Sequence, residues 1–201
     1  ARELSKYQVT DTKGVYALKK AVNTSIILVY PTVLFSTLFI INHFFDLAIS
    51  TDFIGIPLDY YFLLTVFLVT MITDSLAMVI GSLVKGPKLC PRISPNKTIS
   101  GAVGGLAGGV LAAFVVYWLF SINNDFFNAF HSVASLWTVA ALGFFGSIIS
   151  QCGDIFASYL KRRARVKDYG TIFPGHGGVM DRVDGLIFNS AFVLIYILIL
   201  L

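Results

Sequence analysis

The residues best equipped for chemistry fall in one stretch, GDIFASYLKRRARVKDYGTIFPGHGGVMDRVD, which runs from Gly153 to Asp184. Asp154 comes first, followed by a basic run that begins at Lys161 and Arg162 and ends at Lys167. Asp168, a Pro174-Gly175-His176-Gly177-Gly178 turn and Asp181-Arg182-Val183-Asp184 complete it. Asp181 and Asp184 are three apart and share a face if that stretch is helical. With Asp154 they offer hard oxygen ligands suited to Mg²⁺ and a bound phosphate chain. The basic run alone fits a membrane-surface anchor for anionic lipid, worth about 1 kcal/mol per basic residue. That accounts for the lysines and arginines and leaves the aspartates unexplained. His176 has two readings, a structural turn residue or a site residue. The glycines around it let backbone amides approach an anion closely, and Pro174 stiffens the approach.

Two further polar features precede this stretch. Ser94-Pro95-Asn96-Lys97-Thr98 leads into Ile99-Ser100-Gly101 and an apolar run. Exposed amides at a helix N-terminus, with Ser94, Thr98 and the Lys97 ammonium nearby, suit a phosphate; an ordinary Ser/Thr helix cap is the plainer alternative. Asp74 sits within VTMITDSLAMVIGSL. A carboxylate there costs about 2.5 to 3.5 kcal/mol even on lenient membrane-insertion scales. Either interhelical hydrogen bonds satisfy it, or it lines a polar cavity as a cation or substrate group.

The elements that must position these groups are membrane helices. Of 201 residues, 56% are hydrophobic and 13% charged, and the mean hydropathy is +0.79, far from a soluble composition. Apolar runs near 22–41, 61–83, 100–121, 133–152 and 185–201 approach or exceed the roughly 20 residues a spanning helix needs. They are continuously apolar instead of alternating, which argues against a β-barrel. The expected fold is therefore an all-α integral membrane protein of about five helices. In the third run Gly101, Gly105 and Gly109 recur every fourth residue, as do Gly104 and Gly108. Such a smooth face favours close helix packing. No strand precedes it, so it is not a nucleotide-binding glycine loop.

All 15 Lys and Arg residues lie in three places: before the first run, between the second and third, and between the fourth and fifth. The alternate loops carry Asp46, Asp52, Asp59 and Asp125 and no basic residue. The positive-inside rule then makes the N-terminus and both basic loops cytoplasmic. The chain starts at Ala1 without an initiator Met, and no cleavable signal peptide is expected ahead of the first run. Cys90 and Cys152 lack zinc-ligand spacing and are assigned no function.

From Ser158 to Asp184 the chain resembles the C-terminal signature of CDP-diacylglycerol synthases (phosphatidate cytidylyltransferases), in which S-x-x-K-R, K-D, P-G-H-G-G and D-R-x-D occur at fixed separations. Gly153-Asp154, the SPNKTISG segment and the Asp74 stretch ending in Gly81 resemble further elements of that family in the same order. The resemblance covers about 60–190 of a single membrane-embedded domain spanning 1–201, and the first 60 residues match only as generic membrane sequence. Family members usually carry further N-terminal spans.

The resemblance implies transfer of CMP from CTP to phosphatidic acid, giving CDP-diacylglycerol and pyrophosphate, with Mg²⁺ and in some members K⁺. It makes Asp154, Asp181, Lys167, Asp168 and His176 the catalytic positions. Metal ligation would fall to Asp154, Asp181 and Asp184, with Asp74 completing a cation cavity. Ser94, Lys97, Thr98, Lys161, Arg162, Gly175, Gly177, Gly178 and Arg182 would bind substrate. The implied partners are membrane lipids and a second copy in a homodimer, with no nucleic acid. The implied location is a bacterial inner membrane, or else the endoplasmic reticulum, with a cytoplasmic site. A secondary transporter using Asp74, and a nonenzymatic scaffold for anionic lipid, are the rival classes.

Overall fold

The computed structural model describes residues 29–44, 58–122, 135–164, 166–170 and 178–200, together with Gly14, Val22, Thr24 and Ser25. Its elements are α1 (Val29–Phe44), α2 (Leu58–Val84), β1 (Lys88–Cys90), β2 (Ser94–Thr98), α3 (Ile99–Ser121), α4 (Leu136–Arg163) and α5 (Met180–Leu200). Helices α2 to α5 are each long and apolar enough to cross a membrane, and α1 is a shorter apolar helix. This is an all-α membrane protein with one small hairpin inserted. Helix is the natural outcome in hydrocarbon, where every backbone N–H and C=O must be satisfied within its own segment.

Packing follows the glycines. A Cβ added to Gly101 would lie 2.6 Å from the Ala77 carbonyl oxygen, and one on Gly105 would lie 3.1 Å from that of Thr73, so α3 rests directly on the backbone of α2. On its other side, a Cβ on Gly109 would lie 2.8 Å from the Gly143 carbonyl oxygen of α4. The expected smooth face is thus the surface through which α3 joins both neighbours. Close backbone approach of this kind supplies dispersion contacts where lipid removes the hydrophobic drive between helices.

The bundle is layered along its axis. Tyr61, Val66, Ala112, Val116, Val139, Leu142, Val193 and Ile197 form an apolar core in the half remote from the hairpin. A buried polar layer follows, with Thr70, Thr73, Ser147, Ser150, Asn189 and Ser190. There the Asn189 amide donates to the Val66 carbonyl at 3.2 Å and to Thr70 Oγ1 at 3.1 Å, tying α5 to α2. The charged groups occupy the hairpin end. Phe67, Met71, Met78, Leu83, Leu111, Trp118 and Ile199 remain exposed on the outside, as apolar side chains do when lipid is the solvent.

The structure differs from the sequence reading at two helix boundaries and in one loop. Helix α4 continues past the apolar limit near residue 152 to Arg163, because buried Gly153, Ala157 and Leu160 sustain an inward face while the opposite face turns polar. Helix α5 begins at Met180, so Asp181 to Asp184 form its first turn. The loop between the second and third runs contains an antiparallel hairpin with Lys88 opposite Thr98 and Cys90 opposite Ser94. Strands of three and five residues are too short for an alternation to show.

Candidate active site

Two lysine–carboxylate pairs define the charged end. Lys97, near the end of β2, places Nζ 2.5 Å from Asp154 Oδ2 on α4, and the two side chains are 25% and 32% exposed. Ser158, one turn along α4, approaches the other oxygen of Asp154 at 3.5 Å. Arg162 Nε donates to the Ile93 carbonyl in the hairpin turn at 3.2 Å. These contacts bring the two basic loops, remote in sequence, to the same end of the bundle.

The second pair is more enclosed. Lys161 Nζ donates to Asp181 Oδ1 at 2.8 Å, with side chains only 12% and 8% exposed. Asp181 Oδ2 accepts two backbone amides, from Tyr169 at 2.8 Å and from Gly178 at 2.9 Å. The Lys161 ammonium lies 5.4 Å from the centroid of the Tyr169 ring, within cation–π range. The Tyr169 hydroxyl donates to the Ala157 carbonyl at 3.2 Å. Burial holds the Tyr169 phenol above its ordinary pKa, so it stays a neutral donor. Helix α1 reaches this corner through Tyr30, whose ring meets Phe156 edge-on at 5.7 Å. The Tyr30 hydroxyl lies next to that of Tyr169 without a hydrogen bond of good geometry.

Asp184 is buried and accepts the Gly185 amide at 2.8 Å. It lies within electrostatic reach of Asp154, Lys161 and Asp74. Asp74 on α2 lies within electrostatic reach of Asp154 and Lys97 in turn. Among the described residues it takes part in no hydrogen bond. Helices α2, α4 and α5 therefore each carry a carboxylate within electrostatic reach of the other two.

The remaining candidates sort as follows. The Thr98 hydroxyl accepts the Gly101 amide at 3.1 Å and caps α3, and Ser94 is half-buried at the start of β2. The Gly178 amide is directed at Asp181. Lys167, Asp168 and Arg182 are exposed. Gly175, His176 and Gly177 lie outside the described residues. Tyr169 and Tyr30 were missed by sequence reasoning. Tyr169 lies within the quoted signature and could have been found there, whereas nothing in the sequence around Tyr30 sets it apart from other membrane aromatics.

The donor set can be tested against a divalent cation. Among the described residues no three His, Cys, Asp or Glu side chains gather closely enough to hold a metal ion unaided. Mg²⁺ seldom asks for that, since it commonly takes one or two carboxylates and completes its octahedron with phosphate oxygens and water. Asp154, with Asp74 and Asp184 within electrostatic reach of it, supplies hard anionic oxygen of this sort. Asp181 is the poorest fit, because both lone pairs of Oδ2 are occupied by amides and Oδ1 by Lys161.

A profile of the cytidylyltransferase family matches residues 4–200, nearly the whole chain. The chain belongs to the cytidylyltransferase family. Three of its relatives are phosphatidate cytidylyltransferases. The phosphatidate cytidylyltransferase of Brucella abortus is 39% identical over 140 residues, covering 70% of this chain and 48% of that protein. That of Staphylococcus haemolyticus is 35% identical over 183 residues, covering 85% of this chain and 65% of that protein. That of Rickettsia felis is 43% identical over 129 residues, covering 63% and 54%. The chain thus spans about half to two thirds of the length of these relatives.

Proposed function

We propose that the chain carries the catalytic core of a phosphatidate cytidylyltransferase, transferring CMP from CTP to phosphatidic acid. The observation that carries this reading is the meeting of Lys97, Asp154, Lys161 and Asp181 at one end of a lipid-facing bundle. Such a site suits one soluble and one membrane-bound substrate. In the reaction an oxygen of the lipid phosphate attacks the α-phosphorus of CTP, the α–β phosphoanhydride bond breaks, and pyrophosphate leaves. Catalysis of such a step is largely in-line positioning and charge neutralisation.

Asp154, with Asp184 or Asp74 as a second carboxylate, would hold Mg²⁺ together with phosphate oxygens and water. Bound there, the ion would screen the triphosphate from the lipid phosphate and polarise its P–O bonds. Lys97 is placed to exchange its Asp154 partner for a phosphate, and Arg162, Lys167 and Arg182 would draw anions to the site from the surface. His176 and its flanking glycines remain candidates for contact with the triphosphate. The charge asymmetry of the loops supports a cytoplasmic site in a bacterial inner membrane, and K⁺ dependence and a homodimer are further parts of the proposal.

One experiment addresses activity and orientation together. Sealed inside-out vesicles containing the protein and phosphatidic acid, given Mg²⁺ and labelled CTP, should move label into the lipid phase. Right-side-out vesicles should do so only after permeabilisation. No labelled lipid in either preparation would remove the enzymatic reading, and equal labelling in both would reverse the orientation.

Lys97 separates a phosphate contact from a simple tether of the hairpin. Lys97→Ala should raise KM for one phosphate substrate by about tenfold, the scale of one charge-assisted contact. Arg at this position should recover only part of the loss, since its planar fork differs from a compact ammonium. Unchanged rates at limiting CTP and at limiting phosphatidic acid would leave Lys97 as a surface partner of Asp154 and nothing more.

A further inference from the structure

The three hydrogen bonds on Asp181 have a common geometric sense. Tyr169 and Gly178 lie on either side of a segment that leaves at Gly170 and returns at Gly178, and their amides converge on one oxygen, at 2.8 and 2.9 Å. The two backbones touch where they meet. A Cβ on Gly178 would lie 2.9 Å from the Gly170 nitrogen and 3.2 Å from its Cα, so the crossing admits glycine and little else. Lys161 holds the other Asp181 oxygen at 2.8 Å and lies against the Tyr169 ring, whose hydroxyl is fixed to the Ala157 carbonyl. The neck is thereby fastened to α4 from one side and to the first turn of α5 from the other.

We infer that Asp181 is a positioning residue, whose carboxylate fastens residues 169 and 178 into a neck and so sets where the sequence between them starts and ends relative to Asp154. Both Oδ2 lone pairs serve this purpose. Lys161 belongs to the same device, as the counter-charge that keeps Oδ1 in place. A carboxylate suits the task because hydrogen bonds to an ionised acceptor are about twice as strong as neutral ones, and because no other side chain offers one oxygen to two amides and a second to an ammonium. The consequence for catalysis rests on the proposed function, whereas the neck itself does not.

The test is hydrogen–deuterium exchange on the full chain in detergent, followed at the Tyr169 and Gly178 amides, beside steady-state kinetics. Asp181→Ala should speed exchange at both amides by about tenfold or more. Gly178→Ala, which leaves every charge in place, should do the same at Tyr169. Asp181→Asn retains one amide-accepting oxygen and should fall between Asp181→Ala and the parent. In the kinetics, Gly178→Ala and Asp181→Ala should share the same split between KM for CTP and kcat, with the Mg²⁺ concentration for half-maximal rate unchanged. Two results would overturn the inference: parent-like exchange in Asp181→Ala, or a Mg²⁺ requirement raised about tenfold in Asp181→Asn but not in Gly178→Ala. Exchange needs no substrate, so a parent protein that makes no lipid product, together with faster exchange in Asp181→Ala, would refute the proposed activity and leave the neck standing.

Discussion

Asp154→Asn is expected to lower turnover by about a hundredfold or more, the scale on which preorganised electrostatic groups act in group transfer, while the protein still inserts and elutes from detergent as the parent does. The structure separates these two outcomes. Asp154 is partly exposed, and so is its partner Lys97, so losing the pair should cost the fold about 1 kcal/mol or less. The chemistry loses far more, because Asp154 is the carboxylate whose charge acts on both Asp74 and Asp184 and the one paired with Lys97, the lysine proposed to turn to a phosphate. An amide of the same size keeps the packing and removes the charge. Lys97, freed from its partner, remains available to a phosphate, so the loss should appear in kcat with KM for CTP unchanged or lowered. The variant should also fail to respond to added Mg²⁺ over a range that saturates the parent. Parent-like turnover, or a loss confined to KM, would mean that the reacting phosphates lie elsewhere.

Much of this arrangement was legible in the sequence because membrane helices announce themselves by length and apolarity, and because charge in such a chain must gather where water is. Apolar run length located all four spanning helices to within a few residues at most ends. It failed at the end of α4, where helix outlasts hydrophobicity. The glycine repeat disclosed a packing face, although not that one helix would use it toward two neighbours. The motif residues gave Asp154, Asp181 and Lys161 as participants but could not give the pairing. That Lys97 meets Asp154 and Lys161 meets Asp181 depends on how the hairpin folds over α4, and strands this short carry no periodicity. Tyr30 was illegible for a related reason. An aromatic residue in an apolar helix is expected anywhere, and only the tertiary contact with Phe156 places it beside Tyr169.

Gly143→Ala should be the most destabilising single-methyl change in the bundle core. A Cβ at this position would lie 2.6 Å from the Gly109 carbonyl oxygen, 2.8 Å from Val110 Cα and 2.8 Å from Ala113 Cβ. Two of these are backbone atoms of a helix that already rests on α2 through Gly101 and Gly105, so α3 has no free side toward which to retreat. Overpacking of a well-filled core costs about 1 to 3 kcal/mol, and in a chain of this length that corresponds to about 2–12 °C in Tm. The effect should also reach the site. Helix α3 starts at the hairpin that carries Lys97 and α4 carries Asp154, so forcing the two apart should slow turnover although position 143 lies remote from the charged end. Gly14→Ala is the matching control, since a Cβ there would meet nothing within 4 Å, and its Tm should equal the parent's. Thermal unfolding of the three proteins in one detergent makes the comparison. A Gly143→Ala protein that melts with the parent would show that α3 and α4 are not in backbone contact at this level, and the close glycine packing would have to be abandoned there.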